Sequence, residues 1–131
     1  MAHVFRQSES ARLNLPGRSA IDMVSGRRGS AAVSLRVVEV PVQQPGDTLR
    51  GPHVHRLFEE CMYVLSGEGV THTDTGTYPL KSGEVILVAA GEAHVTRNTG
   101  AVPLVLLCFF PAPDMTVGTE DVAALKTASA S

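Results

Sequence analysis

The chain has 131 residues and a mass of 13.8 kDa, the size of one compact domain. An apolar share of 44% against 18% charged residues excludes a disordered chain, because that much apolar surface can build a core. The net charge is −2, and the arginines are dispersed except for Arg27-Arg28, so nucleic acid and anionic lipid find no electrostatic hold.

The N-terminal residues MAHVFRQSES lack the apolar run of about 7–15 residues that a secretory signal needs. The longest apolar run, residues 104–113, is far short of a membrane span. Cys61 and Cys108 each sit inside apolar runs, as reduced core thiols do. A cytoplasmic location is therefore expected.

Residues 1–32 carry the weakest pattern and read as an N-terminal extension. Within it, residues 20–24 are expected to form an edge strand or a strand exchanged with a partner. The body of the domain, residues 33–113, shows strand patterns recurring about every eight to twelve residues. Residues 33–42 (VSLRVVEVPV) are dense in β-branched side chains and close at Pro45-Gly46. A second strand covers 61–65, and Gly67-Glu68-Gly69 turns the chain into 70–75. Short strands follow at 78–80, 84–88 and 94–99, separated by Gly76, Ser82-Gly83 and Ala90-Gly91. The last strand, 102–110, is apolar on both faces, which calls for cover by a second sheet or a second subunit. Residues 114–131 read as a tail with a short helix near its end. The fold class that follows is all-β, a sandwich or jelly-roll β-barrel.

Four residues carry the chemistry. His53 and His55 flank Val54, and a strand presents residues i and i+2 on one face, so two imidazoles can converge on one point. Glu60 opens the next strand and His94 opens another after the bend at Gly91. Three imidazoles and a carboxylate make a mixed N/O site for one divalent transition metal: Fe, Mn, Ni, Co, Cu or Zn. The lack of thiolates argues against a structural zinc site, and positions left open on the ion suit catalysis.

These residues stand in two motifs, HVHRLFEECMYVLSGEG from His53 and GEVILVAAGEAHVTRN from Gly83. Together they resemble the two motifs of the cupin superfamily, in order and at the right separation. In the first motif the glutamate precedes a glycine by seven residues, which selects Glu60 (with Gly67) over Glu59. Gly83, Gly91, His94 and Asn98 match the second motif, whereas Ala89 stands where proline is usual and Gly46 lies one residue too far upstream of the first. The resemblance covers roughly residues 33–111 and implies a jelly-roll barrel with His53, His55, Glu60 and His94 as metal ligands.

Strand parity with Glu60 and His94 places Met62, Val64 and Thr96 on the expected pocket lining, mostly apolar and neutral. Arg36 is a candidate anchor for a substrate carboxylate should it point inward. His72 is a candidate acid/base group, and its face is left open by the sequence. Cupin lyases acting on dimethylsulfoniopropionate resemble a site with a tyrosine two residues after the glutamate, where this chain has Met62. Thiol dioxygenases resemble a three-histidine site without Glu60. Phosphosugar isomerases of this superfamily need cationic phosphate holders, and neither Lys81 nor Lys126 stands within the motifs. What the resemblance implies first is a mononuclear oxygenase, such as a dioxygenase, acting on a small organic molecule. The alternatives are a non-oxidative isomerase, lyase or decarboxylase, or a non-catalytic small-molecule binder. The doubly apolar last strand predicts a homodimer.

Overall fold

The computed structural model describes residues 1–126. Among these, eleven strands form two antiparallel sheets. The larger sheet takes the order β1 (Arg12–Leu15), β2 (Arg18–Val24), β3 (Ser34–Val40), β10 (Leu104–Phe110), β5 (Glu60–Ser66), β8 (Val85–Val88). The smaller runs β11 (Thr119–Asp121), β4 (His53–His55), β9 (His94–Asn98), β6 (Glu68–Thr73), β7 (Thr77–Lys81). The expected all-β jelly roll is what the chain adopts. No helix among the described residues is long and apolar enough to cross a membrane.

The two sheets close on a core of Phe58, Met62, Val64, Leu80, Val88, Leu104, Leu106, Cys108 and Phe110. Alternation in β10 supplies four of these: Leu104, Leu106, Cys108 and Phe110 point inward, while Val105, Leu107 and Phe109 stay partly exposed. Each fully buried leucine stabilises the fold by about 1.5–3 kcal/mol. Gly67 joins β5 to β6 with φ +82°, and a Cβ there would lie 2.5 Å from the Pro103 carbonyl oxygen. Only glycine allows both that conformation and that approach.

Two expectations are corrected. Residues 20–24 lie inside β2, which pairs with β3 of its own chain on one side and with β1 on the other, so β2 is second from the edge. The turn Pro16-Gly17, with Gly17 at φ +72°, folds β1 back onto β2 and places β1 outside it. In the tail, Thr119–Asp121 form a strand on β4 where a short helix was expected. Pairing decides this: Arg56 N–H donates to Gly118 O, and Val122 N–H donates to Pro52 O, which overrides helix-compatible composition. The rest of that expected helix, residues 127–131, lies outside the described residues.

Candidate metal centre

Four side chains converge where β4, β5 and β9 approach one another. His53 and His94 are direct partners in the β4–β9 ladder, and Glu60 enters from β5 of the opposite sheet. All of His53, His55, Glu60 and His94 are buried, and their ligand atoms lie within 4.8 Å of one another. The His53 and His94 rings are 4.3 Å apart between centroids. His55 is stacked on Phe58 and edge-on to Phe110.

Hydrogen bonds outside the cluster fix which nitrogens face inward. His94 Nδ1 lies 3.0 Å from the Glu92 carbonyl oxygen, which only accepts, so Nδ1 carries the proton. His55 Nδ1 lies 2.7 Å from Thr119 Oγ1, whose own proton is given to the Met115 carbonyl oxygen at 2.5 Å. That hydroxyl must therefore accept from His55. In the neutral rings both Nε2 atoms then carry lone pairs, and they sit 3.1 Å (His55) and 3.0 Å (His94) from Glu60 Oε1. Three electron-rich atoms crowded together in a buried place repel unless a positive species lies among them. His53 Nδ1 is also buried without a hydrogen-bond partner. The donor set thus fits a divalent ion, held by His53, His55, Glu60 and His94.

Electrostatics agree. Burial, with Arg50 and His94 next in weight, pushes His53 down to about 2, so its ring is neutral and able to ligate. Burial works against ionisation of Glu60, whereas N–H donation from His55 and His94, or a cation in the place of those protons, holds its carboxyl below the usual carboxylate range. The Cys108 thiol is pushed well above its ordinary value by burial and by Glu60, as befits an inert core thiol. Among the described residues both cysteines are free.

Above the ligands opens a cavity of about 330 Å³, reached by His53, Glu60 and His94. Met62, Thr96 and Arg36 are among the residues that line it. Val64 is fully buried in the core and does not reach the cavity lining. His72 pairs in register with Val95, so it alternates away from Thr71 and Thr73, and its ring sits by Thr77 Oγ1 at 3.3 Å. The ring is thereby kept off the cavity side of β6.

The cavity differs from the expected neutral pocket. Arg18, Arg36, Arg50 and Arg97 are in its lining, with Asp47 and Glu60 as the acidic members. Arg36 points inward because it pairs with Cys108, which in turn pairs with Met62, in one row across β3, β10 and β5. Arg18 opens β2, two residues before the strand that the sequence began at residue 20, and Arg50 comes from a loop, where no periodicity fixes direction. Thr119 and Glu92, which orient His55 and His94, were likewise missing from the sequence reading.

Similarity to known proteins can be set beside this geometry. The Cupin domain family matches residues 40–110. An oxalate-binding protein of Thermotoga maritima is 40% identical over 63 residues, 48% of this chain and 51% of that protein. Protein SchB of Streptomyces halstedii is 33% identical over 87 residues, 63% of this chain and 62% of that protein. The matched stretches thus span between about half and three-fifths of these two relatives. Among solved structures, a predicted oxalate decarboxylase from Thermotoga maritima aligns with TM-score 0.70 at 27% identity, covering 84% of this chain and 99% of the other. Pac13, a nucleoside dehydratase, aligns with TM-score 0.73 at 16% identity over 95% and 94%, a likeness of fold alone. With the barrel, the two motifs and the His/Glu cluster in place, the chain belongs to the cupin domain family.

Proposed function

We propose that the chain is a mononuclear metal-dependent enzyme acting on a small organic acid. The observation that carries this reading is the convergence of His53, His55, Glu60 and His94 at the floor of a cavity walled partly by arginines. A divalent ion bound there supplies Lewis acidity toward substrate oxygens and, if redox-active, a route for electrons. The protein's own residues orient and enclose. Glu92 O and Thr119 Oγ1 hold the His94 and His55 rings, while Phe58 and Phe110 pack on His55 and exclude water from its far side. Met62, Val38 and Leu106 give the cavity an apolar wall, and Thr96 adds a hydroxyl already bonded to Thr71.

The charge of the cavity bears on the reaction. A neutral wall suited oxygenation of a diol, enol or keto acid, the first expectation from the sequence. Arginines suit an organic acid, and two relatives bear names tied to oxalate. Non-oxidative cleavage of an organic acid, such as decarboxylation, is therefore the preferred reaction class, with oxygenation second. We propose, too, that the working unit is a homodimer joined through the apolar outer face of the larger sheet.

The test begins with elemental analysis of protein purified without added metal. One divalent ion per chain is expected in the wild type and most of it lost in His94→Ala, with circular dichroism unchanged. Full occupancy in His94→Ala, or none in the wild type, overturns the site. Turnover of small organic acids is then compared with and without oxygen. Equal rates support the non-oxidative class, and a strict oxygen requirement restores the oxygenase.

A further inference from the structure

The arginines of the cavity outnumber what the metal reading needs. Arg36 projects from β3, Arg18 from the start of β2, and Arg50 from the segment leading into β4. These three elements meet at the cavity mouth: a Cβ built on Gly17 would lie 3.5 Å from both Cβ and N of Arg50. The β1–β2 turn therefore rests against the backbone that carries Arg50.

None of the three guanidinium groups forms an ion pair with a carboxylate among the described residues. The acidic groups nearby are engaged elsewhere or too far. Asp22 faces Arg36 in the β2–β3 register, yet its Oδ2 accepts from Ser25 Oγ. Asp47 Oδ2 accepts from the Gln44 N–H. Asp121 influences Arg18 and Arg50 only through space. Arg18 donates to the Pro16 carbonyl oxygen, and among the described residues no hydrogen bond occupies the Arg36 or Arg50 side chain. Three half-buried cations share one cavity with no ion-pair partner, Glu60 and Asp121 acting on Arg50 only through space, and burial followed by Arg50 and Arg36 lowers Arg18 to about 10. A divalent ion on the histidines adds to that positive charge. An anionic ligand offsets the cost.

Position says which part of the ligand they take. In the sheet register Arg36 lies two strands over and two residues along from Glu60. That is about 10 Å across and about 7 Å along, before the side chain extends into the cavity. A ligand held at the histidines and by Arg36 together therefore spans what the Arg36 side chain leaves of that separation. A cavity of about 330 Å³ admits such a ligand, because sites for small organic molecules begin near that size.

We propose that Arg18, Arg36 and Arg50 form an oxyanion subsite, so that the substrate is a two-headed organic acid: one head at the metal, the other a carboxylate or phosphoryl group on the arginines. This rests on the metal-centred reading above and sharpens its substrate class. Guanidinium forks accept either oxyanion in bidentate fashion, whereas a lysine offers only a point charge. Arg36 and Arg50 are specificity residues in this scheme, and they take no part in holding the metal.

Calorimetry on the metal-loaded protein with three 2-oxo acids of identical chelating head tests it. Pyruvate has a methyl tail, 2-oxoglutarate a carboxylate tail, and phosphonopyruvate a phosphoryl tail. At least one of the two anionic tails is expected to bind tenfold or more tightly than pyruvate, and whichever gains more names the oxyanion. In Arg36→Gln and Arg50→Gln that advantage is expected to shrink at least fivefold, with metal content unchanged. Arg36→Lys and Arg50→Lys, which keep charge and side-chain length, replace any variant that fails to melt cooperatively, and they are expected to lose part of the advantage. Equal affinity for all three acids overturns the subsite, as does an advantage that survives both glutamine variants. The metal reading fails separately, by absence of bound metal in the wild type. In that event inorganic phosphate is titrated into the metal-free protein. Binding that Arg50→Gln abolishes upholds the subsite by itself, and no binding overturns it.

Discussion

Thr119 shows how a ligand can depend on a residue that never touches the metal site. Its hydroxyl gives its proton to the Met115 carbonyl oxygen, and so has only a lone pair to offer His55 Nδ1. This arrangement keeps the His55 proton away from the cluster and its Nε2 lone pair turned inward. Thr119→Val removes the acceptor at nearly constant volume and leaves His55 free to take the other tautomer. Metal affinity, measured by competition with a chromogenic chelator, is expected to fall about 10–100-fold. Thr119→Ser is expected to stay within about threefold of wild type. Equal affinity in Thr119→Val would show that His55 needs no outside orientation. The sequence gives no sign of this role, since Thr119 stands 64 positions from His55 and meets it only through the β11–β4 pairing. Glu92 is equally silent, because its contribution to His94 is a carbonyl oxygen that any residue supplies.

At the scale of elements, β9 is held at its start by Asp74 from the β6–β7 turn. Asp74 Oδ2 accepts from Ala93 N–H and Oδ1 accepts from Lys126 N–H, so one carboxylate ties the residue before His94 to the tail. Burial opposes ionisation of Asp74, but those two N–H groups hold its carboxyl below the ordinary value. A depressed carboxylate contributes stability above its unfolded pKa and loses it as pH falls through the folded one. Asp74→Ala is therefore expected to cost about 1–2 kcal/mol at pH 7 in urea melts. Below about pH 4 the gap between variant and wild type is expected to narrow; a constant gap would mean that packing, and not charge, sets the loss. Such a contact joins elements distant in sequence, and this is where legibility ended. Strands β5 to β10 were readable because alternation and glycine turns, such as Gly67 and Gly83, are local signals. The cluster of His53, His55, Glu60 and His94 was readable because strand parity and motif spacing place its members together. β1 and β11 were missed because they are short, at four and three residues, and exist through their partners. The arginine wall was missed because β2 begins at Arg18, before the strand read from the sequence, and because Arg50 lies in a loop, where the direction of a side chain follows from tertiary packing.

The whole molecule leaves one face of its larger sheet apolar. Register aligns Leu87, Cys61 and Phe109 in one outer row, and Val85, Tyr63 and Leu107 in the next. Val85 and Leu87 retain 58% and 60% of their exposure, well beyond what a buried wall would show. The inner face of β10 is filled by the core, so the second apolar face anticipated in the sequence has only an outside to meet. Contiguous apolar rows of this kind are seldom left to water, and a two-fold interface covers the same patch on both copies at once. Burying one exposed leucine side chain contributes about 1.5–3 kcal/mol, and symmetry counts it twice. The expectation is a homodimer in sedimentation velocity at 10 μM, roughly the range where a modest interface holds. Leu87→Glu places a like charge on each side of the two-fold axis and is expected to give monomers that keep the wild-type metal content. A wild type that sediments as a monomer at that concentration overturns the dimer. A Leu87→Glu protein that stays dimeric moves the contact to another face.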